Sequence, residues 1–562
     1  MSRNRREGEF RGQLEIPHAA LLSFIKKYPR FEFMLEDYRF KGKDEPAYLP
    51  VRKLNVEQLK GLRDLLEKTS PRPTGTIAQV GMHVELMEKP GGKKIGTLPQ
   101  LETALRAFMK EKIIRGWLFR KREGHEKILA VLVTSIRYRP ASGRGKDRSP
   151  ASTNLSYTYW TKGKRDSGSV TWYADDLGKD VEALLGDQGL FRETRALIDE
   201  YLKDEAQFLD WRKRMGCQFI GKGSQEVEGE RSWETKDRTM AGDRVVVDDR
   251  CDPIEARCET DLFTGIDLSE DSEDNEADHD QTDQEALAAK SDYTRIPIEP
   301  YIWCFNLETH EEGWIIMYDL QLYKYRPEVK DKLILSDEHG DLIDALTADR
   351  DVLMEDIVTG KTGGTTIILQ GKAGTGKTLT AEVYVEVMKC PLYRIHSGQL
   401  GISPDTVEKV LQDAMKRANR WNCALLIDEC DVFLRQRGES LEQNAIVSVF
   451  LRLLEYFNGL LFLTTNRIDA IDEAILSRAI ANIKFKEPEE AERFKLWQTL
   501  GEVYQLKLLK DDKACRRLAK ELVCTGRDIK GLIRLSTKYA RQRKKVLTVE
   551  DIKRMAVFKG LT

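Results

Sequence analysis

One loop motif constrains the fold of this chain more than any other feature. A short apolar run at 367–369 leads into GKAGTGKT at 371–378, which matches G-x-x-x-x-G-K-[ST] and is followed by a helical pattern to residue 388. Glycines let successive backbone N–H groups converge on phosphate oxygens, and the helix directs the positive end of its dipole at them. The sequence therefore predicts a strand, a phosphate-binding loop and a helix, with Lys377 on the β- and γ-phosphates and Thr378 on Mg²⁺.

Polar residues follow two further apolar strands of the predicted sheet. ALLIDECD delivers Asp428 and Glu429, and LLFLTTN ends at Asn466. We expect Asp428 to join the Mg²⁺ shell and Glu429 to polarise the water that attacks the γ-phosphate, while the Asn466 amide bonds that water and a phosphate oxygen. Because the carboxyl ends of strands in open α/β sheets face one crevice, these groups are predicted to form a single ATP-hydrolysing site.

The order of elements predicts the fold class. From Val358 onward, strands alternate with helical patterns, which is typical of an α/β domain with a mostly parallel sheet and helices on both faces. We assign this domain to 336–486. A helical region follows at 487–562.

A change in composition divides the chain into two halves. The segment 266–292 is acidic and almost free of large apolar residues, so it cannot bury enough surface to fold alone. We extend this predicted disordered linker to 224–292, because 226–243 is also polar. An α+β region at 1–223 precedes the linker, and a β-rich segment at 293–335, with a turn at THEEG, follows it and is expected to pack against the α/β domain.

The N-terminal half contains one pattern that resembles a nucleic-acid reader. A helix predicted at 98–110 is followed by strand-like runs at 113–120 and 128–137, which is the order of a winged helix. Basic residues would lie on or near its wing, and charge on a solvated hairpin explains them equally well. These residues are Lys110, Lys112, Arg115, Arg120, Lys121 and Arg122.

Composition excludes some broad classes of protein. Ninety-one Lys and Arg nearly balance 93 Asp and Glu, so the net charge of −2 gives no general argument for nucleic acid or an anionic membrane. No apolar run approaches the ~18 residues of a membrane span, and the basic start lacks the apolar core of a secretory signal. The nine cysteines have neither zinc-knuckle nor CxxC spacing. We expect a cytoplasmic protein with reduced thiols and no membrane partner.

With these motifs in hand, the sequence from 318 to 562 resembles the AAA+ ATPase superfamily. The phosphate loop and ALLIDECD look like its Walker A and Walker B motifs, and TTNR with IDEAILSR (464–478) looks like its second region of homology. The resemblance implies a P-loop NTPase core, a C-terminal helical lid, ATP and Mg²⁺ as ligands, and a ring that is usually a hexamer.

The resemblance also implies roles for individual residues. Asn466 corresponds to sensor 1, Arg478 to an arginine finger that reaches the neighbour's γ-phosphate, and Arg527 in TGRDIKGLI to sensor 2. Many classical members have two arginines where this chain has only Arg478, so Arg467 is the next candidate for an intersubunit role. The implied nucleotide-binding residues are Gly371, Lys372, Ala373, Gly374, Thr375, Gly376, Lys377, Thr378, Leu379 and Arg527.

Longer phrases narrow the likeness and also show a departure. GKTLTAE, DVFLRQR, 444–467 and PYIWCFNLETHEEGW look like a poorly characterised group of fungal and bacterial AAA proteins with an N-terminal β-rich region. In unfoldases of the superfamily the loop after the second strand carries an aromatic residue that grips peptide in a central pore. Here that loop reads HSGQLGISPDT, with Leu400 and Gly401 but no aromatic, so Leu400 is the remaining candidate for substrate contact.

Three functions are compatible with these patterns. The first is a ring-forming, Mg-ATP-hydrolysing remodeller of protein substrates captured by the N-terminal half. The second is a DNA-associated ATPase of the clamp-loader or helicase-loader kind, suggested by the Ser477–Arg478 pair and the basic hairpin. The third is a scaffold whose assembly is gated by ATP, and the intact Glu429 argues against it.

Overall fold

The computed structural model divides the chain into two compact units. The first comprises Met1–Asp210 with Arg250–Tyr301, and the second comprises Trp211–Asp249 with Ile302–Thr562. No helix among the described residues is both long and apolar enough to cross a membrane. The structure describes residues 13–29, 31–32, 47–50, 54–70, 72–88, 92–112, 117–121, 127–142, 149–228, 235–249, 295–335, 337–348, 364–436, 441–467 and 471–561.

The first unit has the α+β composition expected of the N-terminal half. Its strands are β1 (Gln13–Ile16), β2 (Ala47–Pro50), β3 (Trp117–Lys121), β4 (Ile128–Arg139), β5 (Ser152–Thr161), β6 (Lys164–Trp172) and β7 (Leu190–Arg192). Its helices are α1 (His18–Lys27), α2 (Val56–Glu67), α3 (Thr74–Glu88), α4 (Leu98–Lys112), α5 (Val181–Asp187) and α6 (Arg195–Lys213), the last of which continues into the second unit. Strands β1 and β2 pair with each other, and the remaining five form an antiparallel sheet in the order β6-β5-β4-β3-β7.

Helix α4 covers one face of the five-stranded sheet. Its buried Leu105 and Phe108 share a core with Leu118 of β3 and Val131 of β4. Fully burying an aliphatic or aromatic side chain of this size contributes about 1.5–3 kcal/mol. The helix is therefore held to the sheet by its apolar stripe.

The predicted helix and hairpin exist, but they do not form a free wing. Strand β3 is flanked by β4 and β7, and β4 is flanked by β3 and β5. The expectation of a winged hairpin was wrong because β5 pairs with β4 and β7 pairs with β3, so neither edge of the hairpin is free. Both strands of the expected hairpin thus lie inside a sheet.

The second unit begins with a small five-stranded sheet, part of which was predicted to be disordered linker. Its strands are β8 (Gln218–Glu228), β9 (Thr235–Val247), β10 (Tyr301–Asn306), β11 (Glu312–Ile316) and β12 (Leu320–Leu322), in the order β11-β10-β9-β8-β12. Residues 224–228 and 235–247 are thus strands and not disordered linker. They are polar because β8 and β9 form a long hairpin with exposed positions, but the end of β9 is apolar and fully buried at Val245, Val246 and Val247. The acidic segment 266–292 lies outside the described residues.

A glycine allows this sheet to close on itself. Strand β11 pairs with β8 as well as lying beside β10, and a Cβ atom on Gly313 would lie 2.3 Å from the Glu226 carbonyl oxygen. Only glycine permits this approach. Strands β8–β11 consequently form a small closed barrel, to whose strand β8 β12 is added.

A parallel sheet forms the centre of the second unit. Its strands are β13 (Thr365–Gly371), β14 (Leu392–His396), β15 (Ala424–Asp428), β16 (Leu460–Thr465) and β17 (Ala481–Phe485), in the order β14-β15-β16-β13-β17. Strands β15 and β16 are buried at every residue, as expected where helices cover both faces. The helices of this part are α7 (Asp337–Ala348), α8 (Lys377–Met388), α9 (Pro404–Trp421), α10 (Leu441–Tyr456) and α11 (Glu473–Leu476). The predicted α/β class is confirmed.

Four helices follow the parallel sheet. They are α12 (Glu490–Val503), α13 (Asp512–Glu521), α14 (Gly526–Gln542) and α15 (Val549–Val557), and they pack around the fully buried Trp497. Helix α14 begins with a capping box, in which Thr525 and Asp528 bond each other's backbone N–H groups. This cap satisfies backbone N–H groups at the start of α14, which four residues separate from the end of α13.

The small sheet packs directly on the parallel sheet, as the sequence analysis expected of the β-rich segment. Phe305 of β10 contacts Tyr393 of β14 and Trp421 of α9, with ring centroids 5.3 and 5.0 Å apart. The Arg417 guanidinium lies over the Phe305 ring and forms an ion pair with Glu312 at 2.7 Å. The barrel is therefore a fixed part of this unit.

Candidate functional site

The phosphate loop lies between a buried strand and the start of a helix, as predicted. Strand β13 ends at Gly371 and α8 begins at Lys377. Gly374 and Gly376 have φ angles of 85° and 105°, which side chains other than glycine rarely adopt. The loop 371–376 can therefore turn its backbone N–H groups toward an anion in front of α8.

Lys377 is drawn into this loop. Its Nζ donates to the carbonyl oxygens of Gly371 and Lys372, both at 2.8 Å, and to Asn466 Oδ1 at 3.0 Å. Burial lowers the pKa of Lys377, and the carboxylates of Asp428 and Asp431 oppose that shift. A nucleotide phosphate can replace these neutral acceptors with a charged one, which forms a stronger hydrogen bond.

Asp428 lies at the carboxyl end of β15 with 5% of its surface exposed. Its Oδ1 accepts a hydrogen bond from Thr378 Oγ1 at 3.1 Å and another from Thr464. Burial would raise the pKa of Asp428, but the hydrogen bond from Thr464 and the nearby Arg394 guanidinium hold it below its ordinary value. The carboxylate is therefore ionised beside the Thr378 hydroxyl at neutral pH.

Glu429 follows Asp428 in a left-handed backbone conformation, with φ at 56°. Its backbone N–H donates to Thr464 Oγ1 at 3.0 Å, and its side chain is exposed. Such φ values are uncommon outside glycine and recur at functional sites. The turn separates the roles of the pair, since Asp428 is buried beside the loop and Glu429 is accessible to solvent.

Asn466 completes the convergence of three strand ends. Its Oδ1 accepts the bond from Lys377, and its backbone N–H donates to Asp431 Oδ1 at 2.9 Å. The structure thus brings together Lys377, Thr378, Asp428 and Asn466 in one crevice, with Glu429 next to it in the chain.

The lid helix α14 approaches the phosphate loop. A Cβ atom on Gly374 would lie 2.7 Å from Thr525 Oγ1 and 3.0 Å from Arg527 Cβ. Arg527 is exposed at this junction. Its position beside the loop is compatible with the sensor 2 role that the resemblance implies.

Leu379 is the third residue of α8 and the first exposed one. About half of its side chain (52%) is exposed. An apolar side chain next to a phosphate loop can cover part of a bound nucleotide. Leu379 therefore remains a candidate contact.

Arg478 lies away from these groups. Its guanidinium donates to the Ala474 carbonyl oxygen at 3.1 Å and lies 3.5 Å from Glu455. The side chain is exposed at the end of α11. These partners belong to α11 and α10, and none of the contacts described for Arg478 involves the crevice of its own chain.

Three residues of this crevice were missed from sequence. They are Thr464 and Asp431, which bond the carboxylate and amide groups described above, and Arg394 of β14. Arg394 carried a readable signal, because it is a charged residue in the otherwise apolar strand 392–395. Thr464 and Asp431 gave none, since hydroxyl and carboxyl groups beside a motif have no distinctive spacing.

The loop after β14 corrects one expectation. Leu400 is fully buried in the core beneath α9 and cannot reach a substrate. Ile402, two residues later, is 87% exposed. The loop therefore presents Ile402 to solvent, while Leu400 anchors it.

The basic residues of the first unit are only partly described. Arg120 lies 3.7 Å from Glu299 and stacks over the Tyr159 ring at 4.6 Å. The Arg120 guanidinium is therefore paired with a carboxylate of the same unit. Arg115 and Arg122 lie outside the described residues, as do the side chains of Lys110, Lys112 and Lys121.

The crevice has ligands that suit Mg²⁺. This ion takes few protein oxygens and relies on substrate phosphates and water for the rest of its shell. Thr378 and Asp428 offer adjacent oxygen atoms 3.1 Å apart in front of the phosphate loop. Within the described ranges, no group of three or more His, Cys, Asp or Glu could hold a metal alone. A nucleotide-borne Mg²⁺ is therefore the metal that fits.

Comparisons with known proteins agree with this geometry. Residues 367–487 match the model of the family described as ATPase family associated with various cellular activities (AAA). An uncharacterized AAA family ATPase, y4kL, of Sinorhizobium fredii is 32% identical over 131 residues, which cover 22% of this chain and 38% of the relative. A 26S proteasome regulatory subunit 8 homolog of Encephalitozoon cuniculi is 27% identical over 212 residues, which cover 35% of this chain and 53% of the relative.

The matched regions are thus about half the length of these relatives or less. Among solved structures, the FIGL-1 AAA domain in complex with ADP covers 41% of the chain with 19% identity and a TM-score of 0.34. The family match contains the phosphate loop, Asp428, Glu429, Asn466 and Arg478. Residues 367–487 of this chain therefore form a domain of the AAA ATPase family.

Proposed function

We propose that this chain forms a ring, a hexamer as the superfamily implies, hydrolyses Mg-ATP at the interfaces between its subunits, and uses the cycle to remodel a protein substrate. The observation that carries the proposal is the convergence of three strand ends, in which Lys377 reaches Asn466 at 3.0 Å and Thr378 reaches Asp428 at 3.1 Å. Phosphoryl transfer requires positioned charge more than covalent chemistry, and this crevice supplies it.

The residues of the crevice divide the work of hydrolysis. Lys377 exchanges its bonds with the loop carbonyls for phosphate oxygens, while the loop N–H groups hold the rest of the triphosphate. Thr378 and Asp428 would hold Mg²⁺, which supplies charge neutralisation on the phosphates when bound. Glu429 accepts a proton from the attacking water, and Asn466 orients that water.

Arg478 supports an oligomer. Its guanidinium is tied to Ala474 and Glu455, so we propose that it serves the crevice of a neighbouring copy. Tyr456 and Ile480, next in sequence to Glu455 and two residues beyond Arg478, expose 62% and 55% of their side chains. Exposed apolar side chains around a candidate finger are what an interface between copies requires.

A protein substrate is favoured over nucleic acid. One relative is named as a proteasome regulatory subunit homolog, and the loop that carries Ile402 presents an apolar side chain to solvent. We further propose that the first unit captures that substrate and that the protein works in the cytoplasm. Arg120, the described member of the basic set, lies near Glu299, so it gives DNA binding no specific support.

A trap variant tests the proposal. Glu429→Gln should bind ATP, assemble and retain its target, and the control Glu502→Gln alters an exposed glutamate of α12. Mass photometry with and without ATP measures assembly, and recovery of bound material with and without nuclease identifies its class. A protein that hydrolyses ATP equally well as a monomer would contradict the ring, and nuclease-sensitive retention would favour the DNA-associated alternative.

A further inference from the structure

Strand β14 carries an arginine where its neighbours are apolar. Tyr393 and Ile395 point into the core shared with α9, while Arg394 lies on the opposite side of the strand. That side faces α8 and the end of β15. A long cationic side chain thus lies within the parallel sheet, beside the phosphate loop helix.

Arg394 bridges two carboxylates of the nucleotide crevice. One terminal nitrogen lies 2.5 Å from Asp428 Oδ2, and the other lies 3.6 Å from Glu382 Oε1 on α8. Its Nε is buried without a hydrogen-bond partner. The guanidinium is therefore held by its two ends, tightly by Asp428 and loosely by Glu382.

Both oxygens of Asp428 are consequently engaged. Oδ1 accepts from Thr378 and Thr464, and Oδ2 accepts from Arg394. Arg394 neutralises the same carboxylate that an incoming Mg²⁺ needs. Two cations cannot both draw fully on one carboxylate, because their mutual repulsion opposes the second.

We propose that Arg394 is a positioning residue that sets the Mg²⁺ requirement of nucleotide binding, by competing with the ion for Asp428 and using Glu382 as its alternative acceptor. The inference rests on the proposed Mg-ATP function and deepens it. When the ion binds, the Arg394 guanidinium exchanges its ion pair with Asp428 for a closer ion pair with Glu382. Glu382 thus keeps the displaced guanidinium paired with a carboxylate.

The arrangement predicts opposite effects for its two members. Arg394→Gln keeps a hydrogen-bond donor but removes the competing charge, so less Mg²⁺ should be needed. Glu382→Gln removes the alternative acceptor, so Arg394 depends on Asp428 alone and more Mg²⁺ should be needed. The double variant should behave like Arg394→Gln, since Glu382 acts only through Arg394.

The test is a Mg²⁺ titration of nucleotide binding. Binding of a fluorescent, non-hydrolysable ATP analogue to the full chain is measured by anisotropy, and the Mg²⁺ concentration at half-saturation is the readout. We expect a decrease on the order of 2- to 5-fold for Arg394→Gln and an increase of similar size for Glu382→Gln, as for a partly exposed ion pair. Thermal unfolding of each variant checks its folding.

Charge-matched controls come from the lid. Arg517 and Glu521 form an exposed ion pair on α13, so Arg517→Gln and Glu521→Gln change the same net charges away from the crevice. Shifts of the same sign in Arg394→Gln and Glu382→Gln, or no shift in either, would overturn the competition. Wild-type protein whose nucleotide binding ignores Mg²⁺ would instead overturn the proposed function itself.

Discussion

The ammonium group of Lys377 lies 3.0 Å from the amide oxygen of Asn466, so the phosphate loop and the end of β16 are joined by a hydrogen bond. The residues are 89 positions apart in sequence. Burial lowers the pKa of the Lys377 amine, and the bond provides this buried amine with a hydrogen-bond acceptor. It also places the candidate sensor beside the group expected to hold the γ-phosphate.

Removing the Lys377 amine should abolish nucleotide binding. Lys377→Ala takes away the only side chain that the motif directs at the β- and γ-phosphates. Equilibrium binding of a fluorescent ATP analogue measures the effect, and Lys409→Ala, an exposed lysine of α9, is the control. Unchanged affinity in Lys377→Ala would show that the phosphate-loop assignment is incorrect.

Replacing the Glu429 carboxylate should separate binding from turnover. Glu429→Gln keeps the shape of the exposed side chain but cannot accept a proton, so ATP should bind while hydrolysis falls by about 10²–10⁴-fold. Phosphate release under saturating ATP gives the rate, and analogue binding gives the affinity. Near-normal turnover would show that Glu429 is not the general base and that another group accepts the proton.

Arg478 should act between copies. The contacts of Arg478 within its own chain are with Ala474 and Glu455, outside the crevice. Arg478→Ala should therefore bind ATP but hydrolyse it slowly, because the neighbouring crevice loses its arginine finger. Mixed with Glu429→Gln chains, it should recover part of the activity, since one copy supplies the finger and the other supplies the base. Phosphate release measured across mixing ratios provides the test. The absence of recovery at every ratio would argue that Arg478 does not act in trans.

The centre of the second unit was predictable from sequence. Apolar strands that end in Gly371, Asp428 and Asn466 have one common arrangement in a parallel sheet, and the structure has it. The strength of this prediction comes from local signals: a glycine-rich loop, and buried strands followed at once by polar residues.

Long-range pairing was not predictable in the same way. Strands β8 and β9 were assigned to a linker because their polar residues resemble disorder, yet they pair with each other and with β10–β12, which lie beyond the acidic segment. The hairpin expected near Arg120 lies inside a sheet because β5 pairs with its second strand and the more distant β7 pairs with its first. Pairing depends on distant partners that one window of sequence does not contain.

Acid should weaken the first unit through a buried histidine. Burial lowers the pKa of His83 to about 4, and its Nδ1 lies 2.9 Å from Thr103 Oγ1. The unfolded chain protonates this imidazole below about 6.5, whereas the native state does so only near the lower value. The free energy of unfolding should therefore be unaffected by His83 above pH 6.5 and fall by about 3 kcal/mol toward pH 4.

Denaturant unfolding between pH 7.5 and 4.5, followed by tryptophan fluorescence, measures this loss. His83→Gln should flatten the pH dependence, because glutamine does not titrate, and His339→Gln in the second unit is the control. An equally steep pH dependence in His83→Gln would mean that other groups cause the acid sensitivity.

The loop after β14 allows anchoring and substrate contact to be tested separately. Leu400 is fully buried, so Leu400→Ala should destabilise the second unit by about 2–5 kcal/mol, as for other buried leucines. Ile402 is 87% exposed, so Ile402→Asp should leave the melting temperature near that of the wild type. If Ile402 contacts an unfolded protein substrate, Ile402→Asp should lower the ratio of substrate-stimulated to basal ATP turnover, and Ile402→Leu should preserve it. Equal stimulation of the aspartate and leucine variants would show that substrate contact lies elsewhere.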